Sequence, residues 1–107
     1  MYDHLKLIYE NGFFKLYLTI DGELVNIHMP KLPKLTKKLL DEIREVLYET
    51  CWWLYALGVE YLYMMPEDKR SAKLVFDCHL EDLGIVCGRP LLRVKLEDYL
   101  YATSNGG

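Results

Sequence analysis

One histidine and four lysines are the residues of this chain best suited to acid–base chemistry or anion binding. His28 stands at the end of an alternating segment, just before a loop, where an imidazole could act as a general base. A histidine held by local hydrogen bonds is the alternative interpretation. The lysines surround the start of a long amphipathic stretch: Lys31, Lys34, Lys37 and Lys38. Lysine at a helix N-terminus interacts unfavourably with the helix dipole, and a bound phosphate would offset this interaction. The alternative interpretation is that the lysines are solvated and bind no ligand.

Four aromatic side chains outside the apolar face of the same stretch form a second group. Tyr48, Trp52 and Tyr55 recur at i, i+4 and i+7, which places them in one stripe on a helix, and Trp53 projects on the other flank. Side chains this large are covered either by another element of the chain or by a partner. The stripe therefore predicts a protein interface, with a second copy of the chain as one candidate partner. A second buried face within the chain is the alternative.

The cysteines and the remaining histidines favour no metal site. Cys51, Cys78 and Cys87 are odd in number and lack the C-x-x-C spacing, which favours reduced, structural thiols. Cys78 and His79 are adjacent, but neighbouring helical residues point about 100° apart. They therefore suit neither a nucleophile with its base nor a pair of metal ligands.

Composition is typical of a single globular domain. The 107 residues include 13 basic and 16 acidic side chains, a net charge of -3, and 51% are hydrophobic. One hydrophobic core fits this length. Because phosphate binding needs a clustered positive face, nucleic acid is not an expected partner. No apolar run reaches the roughly 18 residues of a membrane span, and no signal peptide is visible, so a soluble protein is expected.

The elements that must position these residues begin with a β meander. Alternation predicts strands over residues 4–9, 13–20 and 23–29, with turns at Glu10-Asn11-Gly12 and Asp21-Gly22. A helix over residues 36–57 follows, for which Thr36 suits the N-cap and Gly58 the position after the last turn.

The second half of the chain alternates between strands and helices. Residues 59–65 are typical of a strand buried on both faces, and a helical crossover makes it parallel to 23–29. Periodicity predicts a second helix over 66–83, ended by Gly84, and a strand over 91–96. Residues 85–87 and 99–102 could each add a strand, and 104–107 are expected to be a disordered tail. The predicted fold is α/β, an antiparallel β meander followed by α-β-α-β, with two helices packed on a mixed sheet in two or three layers.

This order of elements, with two local segments, resembles the GNAT superfamily of acyl-CoA N-acyltransferases. The segments are VNIHMP at 25–30, a strand leading into the long helix, and GVEYLYMMPEDKRSAKLVFDCHLEDLGI at 58–85, which is similar to the family's later half. The resemblance covers roughly residues 13–96, without the family's first strand and first two helices. Small divergent members are typical of tailed bacteriophages, so the resemblance implies a phage protein in the virion or the host cytoplasm.

This sequence departs from the acyl-CoA-binding members of the family at three points. Members that bind acyl-CoA carry Gln or Arg, two residues, then Gly-x-Gly or Gly-x-Ala before the long helix. Here residues 29–38 are MPKLPKLTKK, with two prolines and no glycine. The tyrosine that acts as general acid in the later helix falls near Phe76, and that helix is about one turn longer than usual.

Three functional hypotheses follow. The leading one is a non-catalytic GNAT-like phage protein that acts through protein–protein interaction, in the virion or on a host protein. The first alternative is an acetyl-CoA-dependent N-acyltransferase, with His28 as base and an altered cofactor site at Lys34, Thr36, Lys37 and Lys38. The second is a small phage inhibitor of a host defence system or host enzyme. No cofactor is expected unless the acyltransferase hypothesis holds.

Overall fold

An antiparallel meander opens the structure, as alternation predicts. The computed structural model describes residues 5–10, 14–21, 24–29, 36–67 and 69–105. Strand β1 (Leu5–Glu10) pairs with β2 (Lys15–Asp21), which pairs with β3 (Leu24–His28). Asp21 and Leu24 are direct cross-strand partners, so two residues join β2 to β3. Those two residues and the predicted turn around Asn11 lie outside the described part.

The later elements complete a mixed sheet. The six described strands have the order β1-β2-β3-β4-β6-β5, in which β3 and β4 are parallel and every other neighbouring pair is antiparallel. The predicted α/β class, with a meander followed by alternating helices and strands, is confirmed. The elements after the meander are α1 (Lys37–Ala56), β4 (Tyr61–Met64), α2 (Lys69–Phe76), β5 (Glu81–Val86), β6 (Arg89–Lys95) and α3 (Leu96–Asn105).

Both ends of α1 form as the sequence predicts. Thr36 is the N-cap, and its Oγ1 accepts the backbone N–H of Leu39 at 3.2 Å. Gly58 has φ of 92°, and its N–H donates to the Tyr55 carbonyl at 3.0 Å. The helix buries one stripe at three- and four-residue spacing: Leu39, Ile43, Leu47, Cys51 and Leu54.

The helices cover one face of the sheet. Leu18, Ile27, Met64 and Leu92 stand side by side across β2, β3, β4 and β6 and are at most 9% exposed. They belong to a single hydrophobic cluster with the buried residues of α1, α2 and α3. Tyr61 and Tyr63 of β4 point to the opposite face and are half-exposed. The prediction that this strand is buried on both faces is therefore wrong, and the described fold has two layers.

The predicted second helix over residues 66–83 is wrong beyond Phe76, and its start is wrong as well, because Pro66 and Glu67 lie outside α2, which begins at Lys69. Asp77 takes the left-handed conformation, with φ of 51°, and its N–H donates to the Lys73 carbonyl at 2.8 Å, which ends α2. The chain then returns as β5 along β6. Gly84 does not stop a helix: with φ of 108° it lies in the irregularity between Asp82 and Ile85. The expected extra helical turn is also wrong, because α2 ends at Phe76 and residues 81–83 belong to β5.

Helix α3 is the element that the sequence analysis missed. It begins directly after β6, where the Leu96 N–H donates to the Glu60 carbonyl at 2.9 Å. Leu96, Tyr99 and Leu100 are buried at i, i+3 and i+4, so residues 99–102 form helix rather than strand. The helix continues through Asn105, where an irregular tail was expected. Among the described helices, none is long and apolar enough to cross a membrane.

Candidate functional site

The start of α1 is the position that a cofactor phosphate would need. Thr36, Lys37 and Lys38 are exposed there, and no acidic residue lies in the first turn. The Thr36 hydroxyl already accepts the Leu39 N–H, one of the donors that a phosphate would use at a helix N-terminus. The other two predicted lysines, at 31 and 34, lie outside the described residues.

His28 ends β3 on the open face of the sheet. It is exposed, and its ring centroid lies 6.2 Å from that of Tyr17, its cross-strand partner on β2. The parallel pairing of β3 with β4 stops one residue earlier, at Ile27 and Met64. His28 is therefore accessible, but none of the described contacts supplies an orienting carboxylate.

The general-acid position of the resemblance is filled by packed aromatic rings. Phe76 is 5% exposed and its ring lies 5.5 Å from that of Tyr99 on α3. The Tyr99 side chain is itself 3% exposed, and burial raises the pKa of its hydroxyl well above the usual value. A tyrosine ring thus lies beside Phe76, but it is buried.

The predicted aromatic stripe of α1 is partly covered by α3. Tyr48, Trp52 and Tyr55 are half-buried and pack against the core cluster. Tyr99 approaches Tyr48 at 6.4 Å between centroids, and Tyr101 approaches both Trp52, at 6.1 Å, and Tyr55, at 6.2 Å. The alternative interpretation, a face covered within the chain, is therefore met in part. An interface there stays a prediction.

Trp52, Tyr55 and Tyr101 form a surface that we call the aromatic patch. Trp52 and Tyr55 lie 5.9 Å apart, and every pair in the trio is edge to face, the geometry that aromatic quadrupoles favour. Tyr101 remains 47% exposed. A hydrogen bond with Tyr101 raises the pKa of the Tyr55 hydroxyl. Two helices thus fix three large rings at the surface without burying them fully.

Trp53 lies on the opposite flank of α1 and is 53% exposed. It lines a shallow surface pocket of about 370 Å³ together with Ile8 of β1, Glu49 and Thr50. The Thr50 hydroxyl donates to the Val46 carbonyl at 2.8 Å. Glu49 is the charged residue among the four that line this pocket.

A polar cluster on the open sheet face was not foreseen from the sequence. Arg93 donates from Nε to Glu81 Oε2 at 2.6 Å and from Nη2 to Oε1 at 3.1 Å, and its guanidinium lies 4.3 Å from the ring centroid of Tyr61. The hydrogen bond from Arg93 lowers the pKa of the Glu81 carboxyl. Strand register alone places Arg93 opposite Glu81, which a predicted helix over 66–83 could not indicate. In the described part of the chain, no group of His, Cys, Asp and Glu could hold a metal ion.

The sheet order, the parallel β3–β4 pair and the helix between these strands define a GNAT-fold protein. The chain is similar to two solved chimeras of spermidine N-acetyltransferase SpeG from Vibrio cholerae and hSSAT. One has 15% identity and a TM-score of 0.56 over 84% of this chain and 63% of the other. The second has 13% identity and a TM-score of 0.57 over 86% of this chain and 66% of the other. The chain thus spans just under two thirds of those structures, and the likeness establishes the fold alone.

Neither the protein-family models nor the curated proteins contain a match to this chain.

Proposed function

We propose that this GNAT-fold protein acts by binding another protein, without acyl transfer. The aromatic patch carries the proposal. Its three rings come from two helices, are held edge to face, and end in Tyr101, which is 47% exposed. Rigid aromatic side chains lose little conformational entropy on binding and dominate the energetics of protein interfaces.

The start of α1 supports a role without cofactor. An acyl-CoA pyrophosphate needs backbone N–H groups that approach closely, and the sequence before α1 has prolines where glycines would serve. Thr36 engages the Leu39 N–H with its own side chain. At the expected general-acid position, Phe76 has no hydroxyl and the neighbouring Tyr99 is buried.

The partner we propose is a phage virion component or a host protein. The phage origin rests on the sequence resemblance, and inhibition of a host defence system or enzyme differs from a virion role only in the target. Self-association through the same patch is the other form of the proposal. An acetyl-CoA-dependent N-acyltransferase is the second candidate function. It is favoured by the exposed His28, which follows the last β3–β4 pair, and by the exposed Lys37 and Lys38 at the start of α1.

Acetyl-CoA binding separates the two candidate functions. We expect the thermal midpoint of the wild-type protein to be unchanged by acetyl-CoA, because ligand binding to the native state alone raises it. The matched variant replaces Lys37 and Lys38 with alanine. A saturable rise in the midpoint that this variant loses would favour the acyltransferase.

A comparison of surface variants tests the patch. We expect Tyr101→Ala to abolish capture of a specific host or virion protein, or to abolish a dimer seen by sedimentation. Leu24→Ala is the control, because Leu24 is also 48% exposed but lies on β3, away from α1 and α3. Equal capture by the two variants, with the wild type monomeric, would refute the proposed interface.

A further inference from the structure

We infer that the partner segment bound beside the aromatic patch is basic, and that one of its lysine or arginine side chains binds at Glu49 between Trp52 and Trp53. The inference rests on the proposed interaction function and specifies the chemistry of the partner.

The two chain segments that carry the patch contain acidic but no basic residues. Residues 45–60 contain Glu45, Glu49 and Glu60 and no lysine or arginine, and residues 96–107 contain Glu97 and Asp98 and again no basic residue. These two segments carry a charge of -5, although the whole chain carries -3. The chain segments that carry the three rings are therefore acidic, whereas the remaining residues are net basic.

The nearest basic residue on α1 is already engaged. Arg44 donates from Nε and Nη2 to the carbonyl of Leu74, at 3.0 and 2.6 Å, which holds the last turn of α2 against α1. It precedes the acidic segment and is directed toward α2. Its guanidinium is thus held at the last turn of α2, on the N-terminal side of the acidic segment.

Glu49 lies between the two tryptophans on the surface of α1. It precedes Trp52 by three residues and Trp53 by four, so the three side chains are neighbours on one helix surface. Glu49 is exposed and shares the pocket with Ile8 and Trp53. A lysine or arginine fits this arrangement, because its aliphatic stem packs on apolar surface while its charged head pairs with the carboxylate and an indole face.

The same charges argue against other occupants. An acidic segment would be repelled by Glu45, Glu49, Glu97 and Asp98. A second copy docked patch to patch around a two-fold axis would bring these carboxylates against their own equivalents. A basic segment of a different protein is the occupant that complements the surface.

Intrinsic fluorescence reports on this site directly, since Trp52 and Trp53 are the two tryptophans of the protein. We expect a short peptide of alternating arginine and leucine to change the emission saturably. Glu49→Gln should weaken its binding about tenfold, because a charge-assisted contact is lost. Glu67→Gln is the control, as Glu67 is exposed and lies between β4 and α2. Circular dichroism verifies that both variants fold.

Three results would overturn the inference. If Glu49→Gln and Glu67→Gln weaken peptide binding equally, the peptide is held by non-specific charge attraction and not at Glu49. A peptide of alternating glutamate and leucine that binds as tightly would exclude a charge-selective site. Spermidine that binds as tightly as the peptide, with the same dependence on Glu49, would assign the site to a small cation.

The proposed function can survive the failure of this inference. If Tyr101→Ala loses partner capture and Glu49→Gln keeps it in full, the aromatic patch remains the interface. The inference that the partner segment is basic would then be refuted. Failure of both variants to affect capture would refute both.

Discussion

At the scale of single residues, burial separates the three cysteines. Cys51 is fully buried in α1, and its burial raises the pKa of the thiol to about 12, with Cys78 adding to the shift. Burial also raises the pKa of the Cys78 thiol, to about 11, with a further contribution from Asp77. Cys87 is exposed. The predicted structural role of the thiols fits Cys51 best.

Thiol reactivity should follow this order. The thiolate is the reactive species, so we expect a disulfide reagent to modify Cys87 rapidly, Cys78 slowly and Cys51 only as the protein unfolds. Labelling time courses followed by peptide mass spectrometry would measure the three rates. In the Cys87→Ser variant the fast phase should disappear, and a fast phase that remains would contradict the burial of the other two.

Cys51 should also make the protein less stable at alkaline pH. Its pKa is 9.0 before the shift and about 12 in the fold, so the unfolded chain releases this proton first. The free energy of unfolding should therefore fall as pH rises from about 9 toward 12, by up to about 1.4 kcal/mol per pH unit. Urea denaturation at pH 8 and pH 10 would measure the fall. Cys51→Ala should make the fall shallower without removing it, because the raised pKa of Cys78 acts in the same direction, whereas Cys87→Ser should leave the fall unchanged.

At the scale of elements, the β5–β6 hairpin shows why local periodicity misled the prediction. Leu83, Ile85 and Val86 are 39%, 68% and 41% exposed, because β5 is an edge strand that contributes nothing to the core. Its apolar residues need no alternation, so nothing opposed the interpretation of residues 81–83 as the end of a helix. The signal that could have found the hairpin is Cys87-Gly88, a two-residue turn ending in glycine.

One substitution in this turn should raise the free energy of unfolding. Cys87 and Gly88 have φ of 52° and 79°, which a two-residue hairpin turn with two positive φ angles requires. Asparagine adopts this conformation more readily than cysteine, so Cys87→Asn should raise the free energy of unfolding by about 0.5 kcal/mol. Gly88→Ala, the opposing variant, should lower it by about 1 kcal/mol. Urea midpoints would measure both, and a less stable Cys87→Asn would refute the turn geometry.

Helix α3 decides how much of α1 faces solvent. Its buried Leu96, Tyr99 and Leu100 attach it to the core, and this attachment brings Tyr101 against Trp52. The stripe on α1 was visible from spacing alone. The helix that covers the stripe was not visible, because ten residues form a short helix with few apolar residues at helical spacing.

At the scale of the whole molecule, one hydrophobic cluster joins β2, β3, β4 and β6 to α1, α2 and α3. A single core of this kind unfolds cooperatively in a small protein. We expect the urea transition followed by tryptophan fluorescence, which reports on α1, to coincide with that followed by far-UV circular dichroism. Equal midpoints and slopes are the expected result, and a dichroism loss at lower urea would show that part of the fold unfolds separately.

The sequence by itself determined the elements whose signals are local. Alternation located β2 and β3, the apolar arc located α1, and Thr36 and Gly58 bounded it, because caps and periodicity act between residues a few positions apart. The order of these elements indicated the α/β class. The aromatic stripe was also visible, since its spacing is that of a single helix.

Only the tertiary structure decided which surfaces are covered. The uncovered sheet face, the meeting of Arg93 with Glu81 and the joining of Tyr101 to Trp52 all depend on contacts between residues far apart in the chain. Such contacts are set by strand register and helix docking, and a change of one residue in register moves a side chain to the other face. The candidate partner surface is for this reason a property of the folded molecule, although each of its residues could be seen in the sequence.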